Sequence, residues 1–357
     1  GVSVSGGATV IDASGSVDID ASTAVALNGA VNAGGDVTID TGTSGAVTLR
    51  GDVLSGGLIR VGAEGAEVGS LTADDDDNAA TAADAHVLQA AGTVTIDTVG
   101  DVNVGNIVAG NTSAVDVEST TGAITTGGIF GAAANTGVGS INLDSATGVT
   151  THTASLIADN GNVTLNGGTG GVSVSGGATV IDASGSVDID ASTAVALNGA
   201  VNAGGDVTID TGTGGAVTLR GDVLSGGLIR IGAEGAEVGS LTADDDDNAT
   251  TTTDAHVLQA AGTVTIDSAG EVNVGNIVAG NTSAVDVEST TGAITTGGIF
   301  GAAANTGVGS INLDSATGVT THTASLIADN GGVTLNGGTG GVSVSGGTTV
   351  IEASSAG

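Results

Sequence analysis

Cysteine, proline, methionine, tryptophan, tyrosine and lysine are all missing from this 357-residue chain, and Phe130 and Phe300 are its sole aromatic residues. Without cysteine no disulfide holds the fold. Without aromatics a conventional globular core is excluded, because such cores lean on rings that bury a large area for each residue ordered. Proline would remove a ladder donor from any stacked strand, so its absence suits strands paired on both sides. The basic residues are four arginines, Arg50, Arg60, Arg220 and Arg230, against 39 Asp plus Glu, for a net charge of −35. Nucleic acid is a poor partner for such a surface, since affinity there rests on Lys and Arg neutralising phosphates. Anionic membranes are equally poor partners on the same ground. No apolar run reaches the length of a membrane-crossing helix. The chain shows neither a starting Met nor a signal peptide, so it reads as a section of a longer mature protein.

What the chain has is glycine, 66 residues of it, and small aliphatics that bring the hydrophobic content to 39%. Disorder is the first alternative for a glycine-rich acidic chain. The regular spacing of Val, Ile and Leu argues against it, and collagen is excluded because glycine has no three-residue period. The segment Gly35–Gly56 shows the pattern in miniature. Val37 and Ile39, then Val47 and Leu49, then Val53 alternate with small or polar residues, separated by Gly, Thr, Ser and Asp. That is the period-two signature of half-buried strands broken by turns. Three such segments in about twenty residues make one coil of a β-solenoid.

The same coil recurs at two levels. Residues 1–170 and 171–340 are one unit written twice, differing at nine positions, and residues 341–357 begin a third copy. Within a unit the strand G-x-V-x-I-D returns as GSVDID, GDVTID, GLIRVG, GTVTID, SAVDVE, GSINLD and GNVTLN. Its second apolar residues are Ile19, Ile39, Val61, Ile96, Val117, Leu143 and Leu165, at spacings of 20 to 35 residues. This predicts about seven coils per unit, each unit advancing roughly 34 Å at the spacing of paired strands. AVALNGAVNAGG (24–35) and AVTLRGDVLSGG (46–57) align position for position and supply the other two strands of a coil. The 35-residue step predicts a loop over Leu71–Gln89 with a short helix near Ala79–Ala85, repeated at Leu241–Gln259. The fold class expected is all-β: a right-handed parallel β-helix running as one continuous solenoid.

Coils of the form GDVTIDTGTSGAVTLRGDVLSGG resemble those of filamentous-haemagglutinin-like exoproteins of the two-partner secretion pathway. The resemblance covers the whole chain apart from the insertion. It implies an extracellular, secreted rod at the cell surface, acting as an adhesin shaft or matrix fibre. The partners it implies are other copies, joined end to end or side by side, and a cell-surface or matrix ligand.

Candidate sites are few. The last residue of the G-x-V-x-I-D strand is Asp20, Asp40, Gly62, Asp97, Glu118, Asp144 and Asn166 in successive coils, then Asp190 and Asp210 in the second unit. Stacked about 4.8 Å apart, neighbouring carboxylates repel by roughly 1 kcal/mol in water. Such a column is either a solvated acidic face or a place where Ca²⁺ bridges carboxylate oxygens. The runs Asp74, Asp75, Asp76, Asp77 and Asp244, Asp245, Asp246, Asp247 are either acidic loop tips or calcium ligands. Their spacing lacks the alternation of an EF-hand loop. The function to which these runs would belong is a calcium-dependent adhesin whose loops contact a ligand. His86, His152, His256 and His322 stand singly, without the converging partners that a metal site or a triad needs. Phe130 and Phe300 are expected to fill a widened corner. With no lysine, and arginines only at equivalent positions of near-identical copies, catalysis is not expected and no cofactor is required. An ice-binding face is not expected either, because the column Asp18, Thr38, Arg60, Thr95, Asp116, Asn142, Thr164 is too mixed and charged.

Overall fold

The computed structural model describes residues 1–4, 11–63, 65–73, 87–133, 136–152, 155–175, 181–212, 214–233, 235–243, 256–303, 306–322, 325–345 and 351–353. The chain falls into two compact units, Gly1–Gly185 and Ser186–Gly357. Short strands rich in Val, Ile and Thr alternate with glycine- and Asp-bearing corners, and every strand pairing is parallel. The architecture is an all-β, right-handed β-solenoid of three parallel sheets. Among the described residues between Val2 and Asn166 there are 21 strands, and they fall in turn on a first, a second and a third face, seven to each. Seven coils per 170 residues is the number the sequence period gives.

The register is also the one read from the sequence. On the third face Ile19 lies beside Ile39, Ile39 beside Val61, Val61 beside Ile96, and the row continues through Val117, Leu143 and Leu165. On the first face Val25 and Leu27 pair with Val47 and Leu49; on the second, Val31 pairs with Val53. All of Val37, Ile39, Val47, Leu49 and Val53 are buried. Full burial of one such side chain is worth about 1.5–3 kcal/mol, so the interior is a column of small aliphatic contributions. Because the side-chain period is two, a slip of one residue would turn each of these outward.

Two details differ from expectation. The insertion is narrower than Leu71–Gln89. Ser70–Ala73 is a strand paired with Ala46–Leu49, and Val87–Ala90 is a strand paired with Val53–Ser55; Leu71 and Leu88 are buried. Part of the surplus length sits instead in a turn after Val61, where Ala63 and Ala66 exchange backbone hydrogen bonds and Val68 is buried. The expected helix near Ala79–Ala85 lies outside the described residues, as does its counterpart in the second unit. The second difference concerns the two phenylalanines. Phe130 sits in the strand Ile129–Gly131 between inward Ile129 and Gly131, so alternation turns it outward. Phe300 does the same in Ile299–Gly301. Neither fills a corner; the inward position beside each is taken by a buried isoleucine, Ile129 or Ile299.

Corners are set by backbone proximity. A Cβ on Gly45 would lie 1.6 Å from the Thr23 carbonyl oxygen of the adjacent coil. Gly62 adopts φ +72°, a conformation that glycine accepts readily. The hydroxyl of buried Ser145 donates to the Gly122 carbonyl at 2.8 Å, and that of Ser119 to Gly100 at 2.8 Å. These two inward serines close hydrogen bonds between coils, whereas the buried hydroxyls of Thr151, Thr296 and Thr321 have no hydrogen-bond partner among the described residues.

Candidate functional site

The acidic column of the third face exists in register. Asp20 lies beside Asp40 in the first unit and Asp190 beside Asp210 in the second, while Asp97, Glu118, Asp144 and Asn166 form a second run. Gly62 separates the runs, because the strand there ends at Val61. Three contacts reduce the repulsion expected of bare stacked carboxylates. The Asp40 carboxylate accepts the Gly42 amide N–H at 2.9 Å, and Asp210 accepts that of Gly212 at 2.9 Å. Asn166 caps the second run, its Nδ2 donating to Asp144 Oδ1 at 2.9 Å. Asp97, expected to face solvent, is only 7% exposed.

The neighbouring column on the same face places a donor beside an Asp acceptor at two steps of each unit. Thr38 donates to Asp18 and Thr208 to Asp188. Asn142 donates to Asp116 at 2.8 Å and Asn312 to Asp286 at 2.9 Å. What looked mixed in sequence holds one Asp–Thr and one Asp–Asn hydrogen bond between adjacent coils in each unit.

The corners carry a role for acidic residues that reading by strands missed. Asp36 Oδ1 accepts the Leu58 amide at 3.0 Å, Asp52 Oδ1 that of Val87 at 3.0 Å, Asp101 Oδ1 that of Ala123 at 2.9 Å, and Asp159 Oδ2 that of Gly137 at 2.6 Å. In the second unit Asp206, Asp222 and Asp329 repeat three of these. Each joins a side chain to the backbone of an adjacent coil, where a corner N–H has no strand partner. For Asp36, Asp52 and Asp101 the signal in the sequence is an Asp just before the first apolar residue of a strand, as in GDV; Asp159 instead follows the strand Leu156–Ala158.

Charge is tuned most visibly at Asp190. Partial burial first, then the carboxylates of Asp188 and Asp210, raise its pKa above the ordinary aspartate value, and the Arg230 guanidinium opposes them. Arg230 thus offsets acidic neighbours on its own face. The eight aspartates Asp74–Asp77 and Asp244–Asp247 lie outside the described residues. Among the described residues, no three His, Asp or Glu side chains come together as a group that could hold a metal ion. His256 Nδ1 lies 3.5 Å from Asp222 Oδ1, the same oxygen that receives the Val257 amide. His152 stacks beside Ser175 and His322 beside Ser345 on the first face.

The three faces differ outward. The first presents Ala26, Thr48, Thr72, Asn103, Thr125 and Thr150, a neutral, mostly hydroxyl-bearing column. The third presents the acidic ladders. The second presents Asp12, Asn32, Leu54, Gln89, Val108 and Phe130 in one register; the outward phenylalanine was missed by sequence reading, which placed it inside. The class defined by this geometry is a β-solenoid of stacked parallel coils, a β-helix repeat protein. Compared with family models, curated proteins and solved structures, the chain matches none of them. No helix among the described residues is long and apolar enough to cross a membrane.

Proposed function

We propose that this chain is a non-catalytic structural segment: the shaft of an extracellular adhesin or fibre, lengthened by repetition of its 170-residue unit. The observation that carries the reading is where the polar side chains go. Corner aspartates, buried serines and the outward Asp–Thr and Asp–Asn pairs bond to the adjacent coil. Groups spent on stacking are not free to converge on a substrate. In a repeat protein of this kind stability is close to a sum of coil terms and neighbour interfaces, so length is gained at no cost in fold. The resemblance to filamentous-haemagglutinin-like exoproteins supports the extracellular setting.

Deleting residues 171–340 tests the proposal, because Gly341 resumes the sequence that Gly171 began. The shortened chain should fold with an unchanged midpoint, keep attachment, and lose roughly 34 Å of length, seven coils at the spacing of paired strands. Loss of attachment with the fold intact would show that a unit carries a binding function of its own.

A further inference from the structure

We infer that Asn111 and Asn281 are glycan acceptors, each receiving a sugar on its side-chain amide from a separate transferase after the coils have folded. The inference rests on the extracellular setting proposed above and names a modification that such a setting permits. An acceptor asparagine is recognised together with a Ser or Thr two residues later, with any residue but proline between them. Four such triplets occur in the chain: Asn111-Thr112-Ser113, Asn162-Val163-Thr164, Asn248-Ala249-Thr250 and Asn281-Thr282-Ser283. Their places in the fold are not equivalent.

Asn111 and Thr112 are exposed and occupy the centre of a tight turn, closed by the Ser113 amide donating to the Gly110 carbonyl at 2.8 Å. The turn joins the strands Asn106–Ala109 and Ala114–Ser119 at the corner between the second and third faces. Two contacts from the following coils hold it in place. Asn160 Nδ2 donates to the Asn111 backbone carbonyl at 2.8 Å, and the Thr136 hydroxyl donates to Asn111 Oδ1 at 3.3 Å. The second contact fixes the oxygen end of the amide and leaves Nδ2, at the opposite end, with no acceptor among the described residues. The turn at Asn281 is built alike, with Ser283 donating to Gly280 at 2.8 Å, Asn330 to the Asn281 carbonyl at 3.1 Å and Thr306 to Asn281 Oδ1 at 3.2 Å. Asn162 fails the same test. Its neighbour Val163 is fully buried at the start of the strand Val163–Asn166 and pairs with Ile141, so seating that triplet in a transferase would mean drawing a strand out of the sheet. Asn248 lies outside the described residues.

The donor class is a sugar carried as a diphosphate ester. Nδ2 attacks the anomeric carbon; the new C–N bond forms as the C–O bond to the diphosphate breaks. The diphosphate leaves with the electron pair, and Nδ2 gives up one proton to a base of the transferase. This chain supplies the acceptor nitrogen and the fixed turn that presents it. Because Asn111 and Thr112 are already exposed, the sugar displaces no core side chain, and it adds solubilising bulk to the corner.

Cleavage after glutamate puts each triplet on its own peptide, residues 68–118, 119–234, 238–271 and 272–288. Mass spectrometry of the protein isolated from the cells that make it should find sugar on Asn111 in 68–118 and on Asn281 in 272–288, and none on Asn162 in 119–234. Sugars added singly indicate a nucleotide-linked donor and an oligosaccharide added as a block a lipid-linked one; either supports the inference. Ser113→Ala keeps the asparagine and removes only the hydroxyl of the triplet. It should clear the sugar from 68–118 and leave it on 272–288, so the second copy reports that the variant folds and reaches the transferase. Ser113→Thr should retain both sugars. Wild-type protein with bare Asn111 and Asn281 overturns the inference. Sugar that persists on Asn111 in Ser113→Ala does so as well, and so does sugar on Asn162, which would place attachment before folding. None of these results touches the shaft reading, which deletion of residues 171–340 tests separately.

Discussion

At a single corner, Asp36 shows what a charged residue is for in this molecule. Its Oδ1 accepts the Leu58 amide of the next coil at 3.0 Å, and Asp206 does the same for Leu228 at 2.9 Å. Asp36→Ala removes the acceptor and leaves a corner N–H unmet, so it should cost about 1–2 kcal/mol. Asp36→Asn keeps an acceptor oxygen in place and should cost a fraction of that. Chemical denaturation of the two variants distinguishes a hydrogen-bonding role from a purely electrostatic one, under which both changes would relieve repulsion and stabilise. Asp190 is the opposite case. Its pKa is raised by partial burial and by Asp188 and Asp210. A carboxyl whose folded pKa lies above its unfolded value opposes folding once ionised, so stability at this site falls as pH rises through the folded pKa. Asp190→Asn should therefore raise the melting temperature slightly at neutral pH. The gain should shrink as pH falls and vanish well below the ordinary aspartate value of 3.8, where the carboxyl is protonated in both states. A gain that persists unchanged in acid would show that charge is not its cause.

Strands and corners obey different rules, and that difference governs how far the sequence could be read. Strand register was legible because Val, Ile and Leu recur at period two and a slip would expose all of them; the pairings Ile19–Ile39 and Val25–Val47 follow directly. The edges of the insertion were not legible. The strand Ser70–Ala73 is four residues long and abuts a run of aspartates, so composition overrode the single inward pair Leu71 and Ala73. Phe130 was misplaced because hydrophobicity was weighed above alternation, although Ile129 beside it already claimed the inward position. Corner carboxylates were invisible for another reason: their partners are backbone amides on an adjacent coil, about twenty residues away in sequence and without any side-chain signature. Glycines separate the two kinds of constraint. Gly42→Ala has open space but φ +66°, and should cost about 1–2 kcal/mol in left-handed strain. Gly45→Ala drives a methyl group to 1.6 Å from the Thr23 carbonyl oxygen. It should cost about 3 kcal/mol or more, because backbone must move. Equal costs for the two would mean that the backbone at the Gly45 corner yields to a methyl group.

For the molecule as a whole, repetition is the property that function draws on. Among the described residues the interior is aliphatic, the third face carries acidic columns, the first face is neutral and hydroxyl-rich, and the second face turns Leu54, Val108 and Phe130 outward. A chain so organised gains reach from each added unit and presents the same surfaces at each repeat. The central claim is that coils stack at the spacing of paired strands, seven to a unit. Cryo-electron microscopy of the purified chain measures this directly. The account predicts a rise of about 4.8 Å per coil and an axial repeat of roughly 34 Å per 170 residues. Density in which 170 residues advance by a clearly different distance, or in which the strands do not lie across the axis, would contradict it.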